Sequence, residues 1–384
     1  MKKIKTNKQL EKRNYINSIS NNYNCFTNFS RSINSNANRR KWNTFASTKT
    51  EEAQKEEENI LTSYEQIINA NTGVDLKSIT GYETSNTVTQ DSLGNRIIVP
   101  AGFRVINPED NVEDGIVIED VNHGATAASQ FVWIPVGENI KKKDETTFDI
   151  MLGRYVYKGD GTIDTSLSKT GPTDQLRYGS TDSGYYIEGL SDSSTINTHA
   201  KDIETFISKV RATGGYYIAR YEARTNIERT SPTNDEGLTQ LTIKPDEYVY
   251  NFVTQSQAAS LSQNMYLENS NFTSDLMNSY TWDTTITFIQ ECSGDTDYSM
   301  QNSINLDFAN KGTNNLSDKD EKCNIYDMAS NCYEWTTEIY SDSSFPCVFR
   351  GGTYKYSNYN TATRYQGNIT TCPGYRSFRP ILYL

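Results

Sequence analysis

The sequence has little of what most catalytic and membrane-bound proteins are built from. Histidine occurs twice in 384 residues, at His123 and His199. That leaves almost no material for a histidine-held metal centre or a serine triad. None of the six cysteines stands in a Cys-x-x-Cys spacing, so a zinc site has no thiolate pair to start from. No run reaches the ~18 to 20 apolar residues that a membrane helix needs, and the chain as written carries no membrane span and no secretory h-region. Basic charge is also short: 37 Lys and Arg against 48 Asp and Glu give a net charge of -11. A nucleic-acid partner is therefore not expected. No dinucleotide fingerprint, phosphate-binding P-loop or HExxH signature is present either. What the chain does have is tyrosine, 26 of them, set among many Asn, Ser and Thr residues. That mixture suits a polar, aromatic-rich binding surface of the kind found outside cells.

The first fifty residues differ from the rest. From Lys12 to Thr50 there is no Asp or Glu, and Asn, Ser, Arg and Tyr dominate until acidic residues return at Glu51. Such a segment cannot bury enough apolar surface to offset its ordering entropy, and one reading is a disordered basic tail. A second reading comes from codon degeneracy. Codons chosen for residues 14–21 and read one nucleotide later can encode the apolar series ITLIALVI, and the same shift over 22–32 permits TIIVLLILAGV. Behind its lysine-rich start, that shifted peptide resembles the leader and first helix of prepilin-type (type IV pilin-like) proteins, with about the length needed to cross a bilayer. The resemblance implies an anchored, extracellular or cell-surface family of which this copy is a frameshifted, unanchored and cytoplasmic variant.

Further along, Ile60, Leu61, Tyr64, Ile67 and Ile68 recur at spacings of three and four, which predicts a stalk helix over 50–75. The remaining span, 76–384, is expected to be one domain. A hairpin is predicted around Asp91–Val99, and strands over Gly115–Glu119, Gln130–Val136, Tyr155–Tyr157, Tyr185–Glu188 and Gly215–Ala223. Helices are predicted over His199–Val210, Thr254–Tyr266 and Ser274–Cys292. After Cys292 the chain reads as irregular, with short strands at Val348–Arg350 and Phe378–Leu382. Scattered helices and long polar loops around a sheet make an α+β arrangement.

Several segments then occur in a telling order: FVWIPVG (131–137), GGYYIARYEA (214–223), SDLMNSYTWD (274–283), NIYDMASNCYEWTTE (324–338), RGGTY (350–354) and GYRSFRPIL (374–382). Together they resemble the formylglycine-generating enzyme, or sulfatase-modifying factor, family over roughly residues 95–384. The resemblance implies a loop-rich variant of the C-type lectin fold, here preceded by an N-terminal helix. In the family's oxidases two cysteines after the RGG bind copper, for which soft thiolates are suited. The matching positions here are Tyr356 and Thr361, so no copper and no oxidase activity are expected. The resemblance also implies a calcium site, held by the side chain of Asp327, the carbonyls of Ser330 and Cys332, and the carboxylate of Glu334. Calcium takes six to eight such hard oxygen ligands, of which these supply four.

Read without the family, Arg350 and Arg379 are structural ties for a loop-rich interior, Gly351 and Gly352 permit a close backbone approach, and Tyr333, Trp335 and Phe349 are strand aromatics. Disulfide pairing cannot be read from sequence; Cys347 with Cys372 and Cys323 with Cys332 are two arrangements. The stretch 353–368 alternates tyrosine and asparagine, a combination that gives contact area at low entropy cost. Its Tyr354, Tyr356, Asn358, Tyr359, Asn360, Arg364 and Tyr365 are the expected ligand-binding set. The function expected is that of a non-catalytic, adhesin-like surface protein recognising a glycan or a protein. The alternatives are a sulfatase-modifying oxidase and a minor pilin subunit with other pilus subunits as partners.

Overall fold

Gln130–Pro135 is buried at every position, with Phe131, Val132, Trp133 and Ile134 fully enclosed. A strand that is apolar on both faces belongs in the middle of a layered structure, and this one lies inside a six-stranded antiparallel sheet. The sheet runs in the order Thr273–Leu276, Pro380–Tyr383, Gly215–Ala219, Gln130–Pro135, Val117–Asp120 and Phe103–Val105. The computed structural model describes residues 73–384 apart from 173, 178–183, 191–201, 302–319, 342–343 and 357–358. These fall in a unit running from Ile60 to Leu384.

A second sheet pairs Tyr365–Gly367, Cys347–Arg350, Tyr333–Tyr340 and Arg376–Phe378 in that order, and Tyr186–Glu188 pairs with the far end of Tyr333–Tyr340. Within it, Tyr333–Tyr340 runs parallel to Arg376–Phe378. The helix Ser279–Ser293 touches both sheets, through Gln130–Pro135 and through Tyr333–Tyr340. Its residues 279–286 are all buried, polar ones included. A helix enclosed on every side must satisfy its polar groups internally. Asn278 starts it with a capping box closed by Thr281, and Thr254 with Gln257 does the same for the helix Gln255–Asn264. The helix Ile203–Thr213 is capped by Asp202 and ends at Gly214, whose left-handed backbone (φ 79) suits glycine.

Between helix and second sheet lies a network of buried charge. Asp283 Oδ1 accepts from Arg350 Nη2 at 2.5 Å, and its Oδ2 accepts from Arg364 Nη2. Glu338 accepts from Arg364 Nε at 2.9 Å and from Arg154 Nη2 at 2.5 Å, with Arg350 Nη1 at 3.7 Å. Glu188 lies 3.8 Å from Arg154 Nε. Three guanidinium groups thus face three carboxylates. Burial raises the Glu338 carboxyl, but Arg364, Arg154 and Arg350 outweigh it and hold the group below the usual carboxylate range.

Several expected elements differ in the structure. The hairpin expected around Asp91–Val99 is present, the turn Asp91–Asn95 joining Thr87–Gln90 to Arg96–Val99, while Phe103–Val105 leaves for the large sheet. Tyr155–Tyr157 contributes only an isolated bridge, Tyr157 to Ile163. The expected helix over Ser274–Cys292 is split: Thr273–Leu276 is a strand because its backbone pairs with Pro380–Tyr383, and the helix begins only after Asn278. The chain after Cys292 is not irregular, since Tyr333–Tyr340 is an eight-residue strand. Of the stalk helix, 50–72 lies outside the described residues, as does the segment 1–49. Residues 73–75 are not helical; Val74 bridges Thr89.

Glu338→Gln should lower unfolding free energy by roughly 3 to 5 kcal/mol, because it leaves buried guanidinium charge uncompensated. The exposed pair Arg104–Glu119, with the Arg104 side chain 54% exposed, is the control. Arg104→Gln should cost less than about 1 kcal/mol in the same denaturant titration.

Candidate functional site

The expected ligand loop leaves Cys347–Arg350 at Gly351 and returns as Tyr365–Gly367. Gly351 has φ 83, and a Cβ there would stand 2.7 Å from the Met328 carbonyl oxygen, so the RGG motif needs glycine at its first Gly. The two strands carry aromatic residues to one edge. Tyr333 has ring neighbours in Phe349 at 4.8 Å, Tyr365 at 5.6 Å, Tyr359 at 5.8 Å and Tyr375 at 6.3 Å. Tyr359 packs edge-on to Tyr365 at 4.5 Å, and Tyr356 touches both Tyr359 and Tyr375. Such tilted and edge-on contacts are the preferred geometries between rings. Tyr356 is 41% exposed, whereas Tyr333 is buried.

Two cations accompany the rings. Lys355 Nζ stands 4.3 Å from the Tyr375 ring centre. The Arg376 guanidinium lies 3.9 Å from the centre of Phe349 and 4.8 Å from Trp335. Among the expected set, Tyr354, Tyr356, Tyr359 and Tyr365 meet at or beside this edge. Asn360 is turned to neighbours instead, donating to Met300 Sδ at 3.9 Å and accepting from the Thr363 hydroxyl. Arg364 is a correction: its side chain is fully buried in the ion network with Asp283 and Glu338, so it braces the loop from within and presents no contact outward. Asn358 lies outside the described residues. Tyr333, Lys355, Tyr375 and Arg376 stand at the same edge and are not in the expected set. The GYRS segment of the terminal motif and the YEW of the 324–338 motif were the signals that could have found them.

The loop expected to bind calcium is a separate place. Asp327 (φ 62) and Asn331 (φ 55) bend it through the left-handed region, which Asn and Asp tolerate. Asp327 Oδ1 accepts from the Ser330 hydroxyl at 3.1 Å, and Asp320 Oδ2 accepts from the same hydroxyl at 2.7 Å. Glu222 accepts from the Cys332 N–H at 2.8 Å and from Asn331 Nδ2. Glu334, however, faces Arg379, which donates to it from Nε at 3.0 Å and from Nη2 at 2.7 Å. Among the described residues no three His, Cys, Asp or Glu side chains converge in metal-holding geometry. The donors are nonetheless of the right kind, hard oxygens, and the Asn331 Oδ1 atom is buried without a donor. Acid outnumbers base here. Burial, followed by the charges of Asp327 and Glu334, pushes Glu222 well above the carboxylate range. Burial, followed by Asp327, pushes Asp320 up to about 7 against the hydrogen bonds of Ser330, Tyr298 and Ala329.

The thiols correct both disulfide arrangements. Cys323, Cys332 and Cys372 carry no disulfide, and the neighbour of Cys323 is Cys292, whose thiol is held up by a hydrogen bond between the two and by burial. His123 serves as a brace, its Nδ1 on Asp120 at 2.9 Å and its Nε2 on Asn269 at 3.1 Å. At the positions matching the family's copper cysteines, Tyr356 is exposed, and Thr361 is buried with its hydroxyl on the Gln301 carbonyl at 3.2 Å.

No protein-family model matches the sequence, and no curated protein matches it. Among solved structures, Treponema denticola variable protein 1 is similar at 12% identity and a TM-score of 0.29, over 44% of this chain and 84% of that one. CarF is similar at 12% identity and a TM-score of 0.31, over 65% of this chain and 99% of that one. Neither likeness is strong enough to bear on fold or function.

The Asp320 shift has a definite sign. The folded state holds a proton that the unfolded chain releases near pH 4, so this stabilisation is full below that point and is lost as pH rises through about 7. Between pH 5 and pH 8, with chelator present, the native protein should lose roughly 2.5 kcal/mol from this group alone. Thermal unfolding of Asp320→Asn across the same range should show that much less pH dependence.

Proposed function

We propose that residues 76–384 form a non-catalytic binding module with the formylglycine-generating-enzyme-like variant of the C-type lectin fold, and that it recognises a glycan or protein ligand at a cell surface. The observation that carries this reading is the tyrosine edge. Tyr356, Tyr359, Tyr365 and Tyr375 gather around Tyr333 at the mouth of the loop in which the resembling oxidases keep their copper thiolates. Phenol rings and a threonine hydroxyl offer no soft ligand for copper. Tyrosine does offer broad contact area with little side-chain entropy to lose, and a hydroxyl for hydrogen bonding. Surface placement rests on the prepilin-like reading of the first fifty residues.

Calcium belongs to the same proposal. Asp327, the carbonyls of Ser330 and Cys332, and the orphaned Oδ1 of Asn331 would hold the ion, with Glu222 in place of the Arg379-bound Glu334 as the further carboxylate. A bound dication would supply the positive charge that this acid-rich loop lacks and so fix the backbone behind the RGG turn.

Screening the full chain against an array of glycans should return ligands whose binding falls at least about tenfold in Tyr356→Ala and in Tyr359→Ala. Tyr356→Ala should change stability by no more than about 0.5 kcal/mol, since that side chain is exposed. Equal binding by wild type and both variants would sink the reading. Calcium should raise the melting temperature of the native chain and leave Asp327→Asn unmoved in differential scanning fluorimetry; equal shifts in both would remove the ion from this loop.

A further inference from the structure

We propose that Cys292 and Cys323 form an oxidation site, a dithiol pair that closes to a disulfide by exchange with a low-molecular-weight disulfide and then clamps the hairpin 321–326 onto the end of the helix Ser279–Ser293. The inference goes beyond the binding reading above and does not rest on it. Cys292 lies in the last turn of that helix, two residues before Gly294 ends it in the left-handed region (φ 80). Cys323 sits at the tip of the hairpin, where Lys322 pairs with Ile325 and leaves Cys323 and Asn324 as a two-residue turn. The two thiols share a hydrogen bond.

Contacts that involve no sulfur bring the same two elements together. Lys322, next to Cys323, forms an ion pair with Asp295, three residues beyond Cys292. On the other flank of the turn, Asn324 Nδ2 donates to the carbonyls of Asp114 at 3.1 Å and Gly115 at 2.9 Å, and the helix itself touches the turn Val112–Asp114. A Cβ at Gly115 would stand 1.9 Å from the Cys323 carbonyl oxygen, so the hairpin tip is pressed against this segment. The conformation of the tip is a further sign. Cys323 has φ 50 and Asn324 φ 63, the left-handed pair of a type I′ turn, for which Asn, Asp and Gly are suited and cysteine is not. A residue held in a sparsely populated conformation points to a use for its side chain. The remaining thiols differ in their neighbours: Cys332 Sγ lies 3.9 Å from the Gly374 carbonyl and Cys372 Sγ 3.5 Å from the Thr370 carbonyl. Cys292 and Cys323 are each half-buried, so a small oxidant can reach them.

The hydrogen bond, followed by burial, holds the proton on Cys292, and the negative end of the helix acts in the same direction. The first attack therefore falls to Cys323. Its thiolate displaces one half of a small disulfide such as oxidised glutathione, and the Cys292 thiolate then displaces the other half from the mixed disulfide. One S–S bond breaks in the oxidant and one forms in the protein. The two protons pass to the two released thiols, and the oxidant takes up two electrons. The hairpin that this bond would pin stands between Asp320 and Asp327, whose N–H donates to the Asp320 carbonyl at 3.0 Å, so the clamp acts on the segment joining the two acids.

The full chain is incubated natively with reduced and oxidised glutathione at defined ratios, its remaining thiols are alkylated, and its linked peptides are mapped by mass spectrometry without reduction. Cys292–Cys323 should be the first link to form in the native chain and should lose that precedence when oxidation follows unfolding in urea. Cys292→Ser should stop at the mixed disulfide of Cys323 with glutathione, while Cys372→Ser should leave the link intact. The oxidised wild type should melt roughly 5 °C above the reduced one, because the bond closes the loop 293–322. Its amides at 321–326 should exchange with deuterium at least about tenfold more slowly. Both readouts compare two states of the wild-type chain, so neither requires a variant to fold. Recovery of both thiols unlinked after excess oxidised glutathione, or linked to cysteines other than each other, overturns the site. A Cys292–Cys323 link that changes neither melting nor amide exchange overturns the clamp.

Discussion

Burying charge in matched sets is the constraint around which this protein is organised. Asp283 comes from a helix, Glu338 and Arg350 from neighbouring strands, Arg364 from the returning loop, and Arg154 and Glu188 from a distant segment. None of these groups could be enclosed alone without a penalty of several kcal/mol. Each can be enclosed only when the others are in place, and that mutual need fixes the register of helix, sheet and loop more firmly than apolar packing, which tolerates sliding. The many threonines of the Ser279–Ser293 helix follow the same logic. Tyr157 and Tyr216 send their hydroxyls to the backbone and threonines of that helix, so a polar sequence packs as a core.

Against that balanced centre, two places stand out of balance in opposite directions. The loop around Asp327 gathers Glu222, Asp320 and Glu334 with too little positive charge, and the excess is carried as raised proton affinity. The tyrosine edge has positive charge and no acid. Both departures contrast with the centre, where the guanidinium groups and carboxylates face one another. The acidic loop lies directly behind the RGG turn, because the Met328 carbonyl closes on Gly351, so the two unbalanced places share one backbone hinge.

The sequence shows some of this plainly and hides the rest for physical reasons. The apolar run 131–134, the period of Ile203, Phe206, Ile207 and Val210, and the glycines at 214 and 351 are local signals, and they correspond to a central strand, a helix, its end and a turn. Tyr333–Tyr340 was hidden because Glu334, Thr336, Thr337 and Glu338 read as solvent-facing, and the arginine partners of Glu338 are 26 to 184 residues away in the chain. Arg364 was misplaced for the same reason: arginine in a Tyr- and Asn-rich loop looks exposed until Asp283 and Glu338 are found beneath it.

Arg379 separates two strands by a single residue. Arg376–Phe378 completes the second sheet beside Tyr333–Tyr340, and Pro380–Tyr383 takes an interior position in the large sheet, between Thr273–Leu276 and Gly215–Ala219. The arginine binds Glu334 on one side and the carbonyls of Ala219 and Tyr326 on the other. Both layers therefore depend on one short stretch, Arg376–Tyr383. Pairing with strands so distant in sequence is a slow, long-range step, and until it is made the strand edges of both sheets stay open.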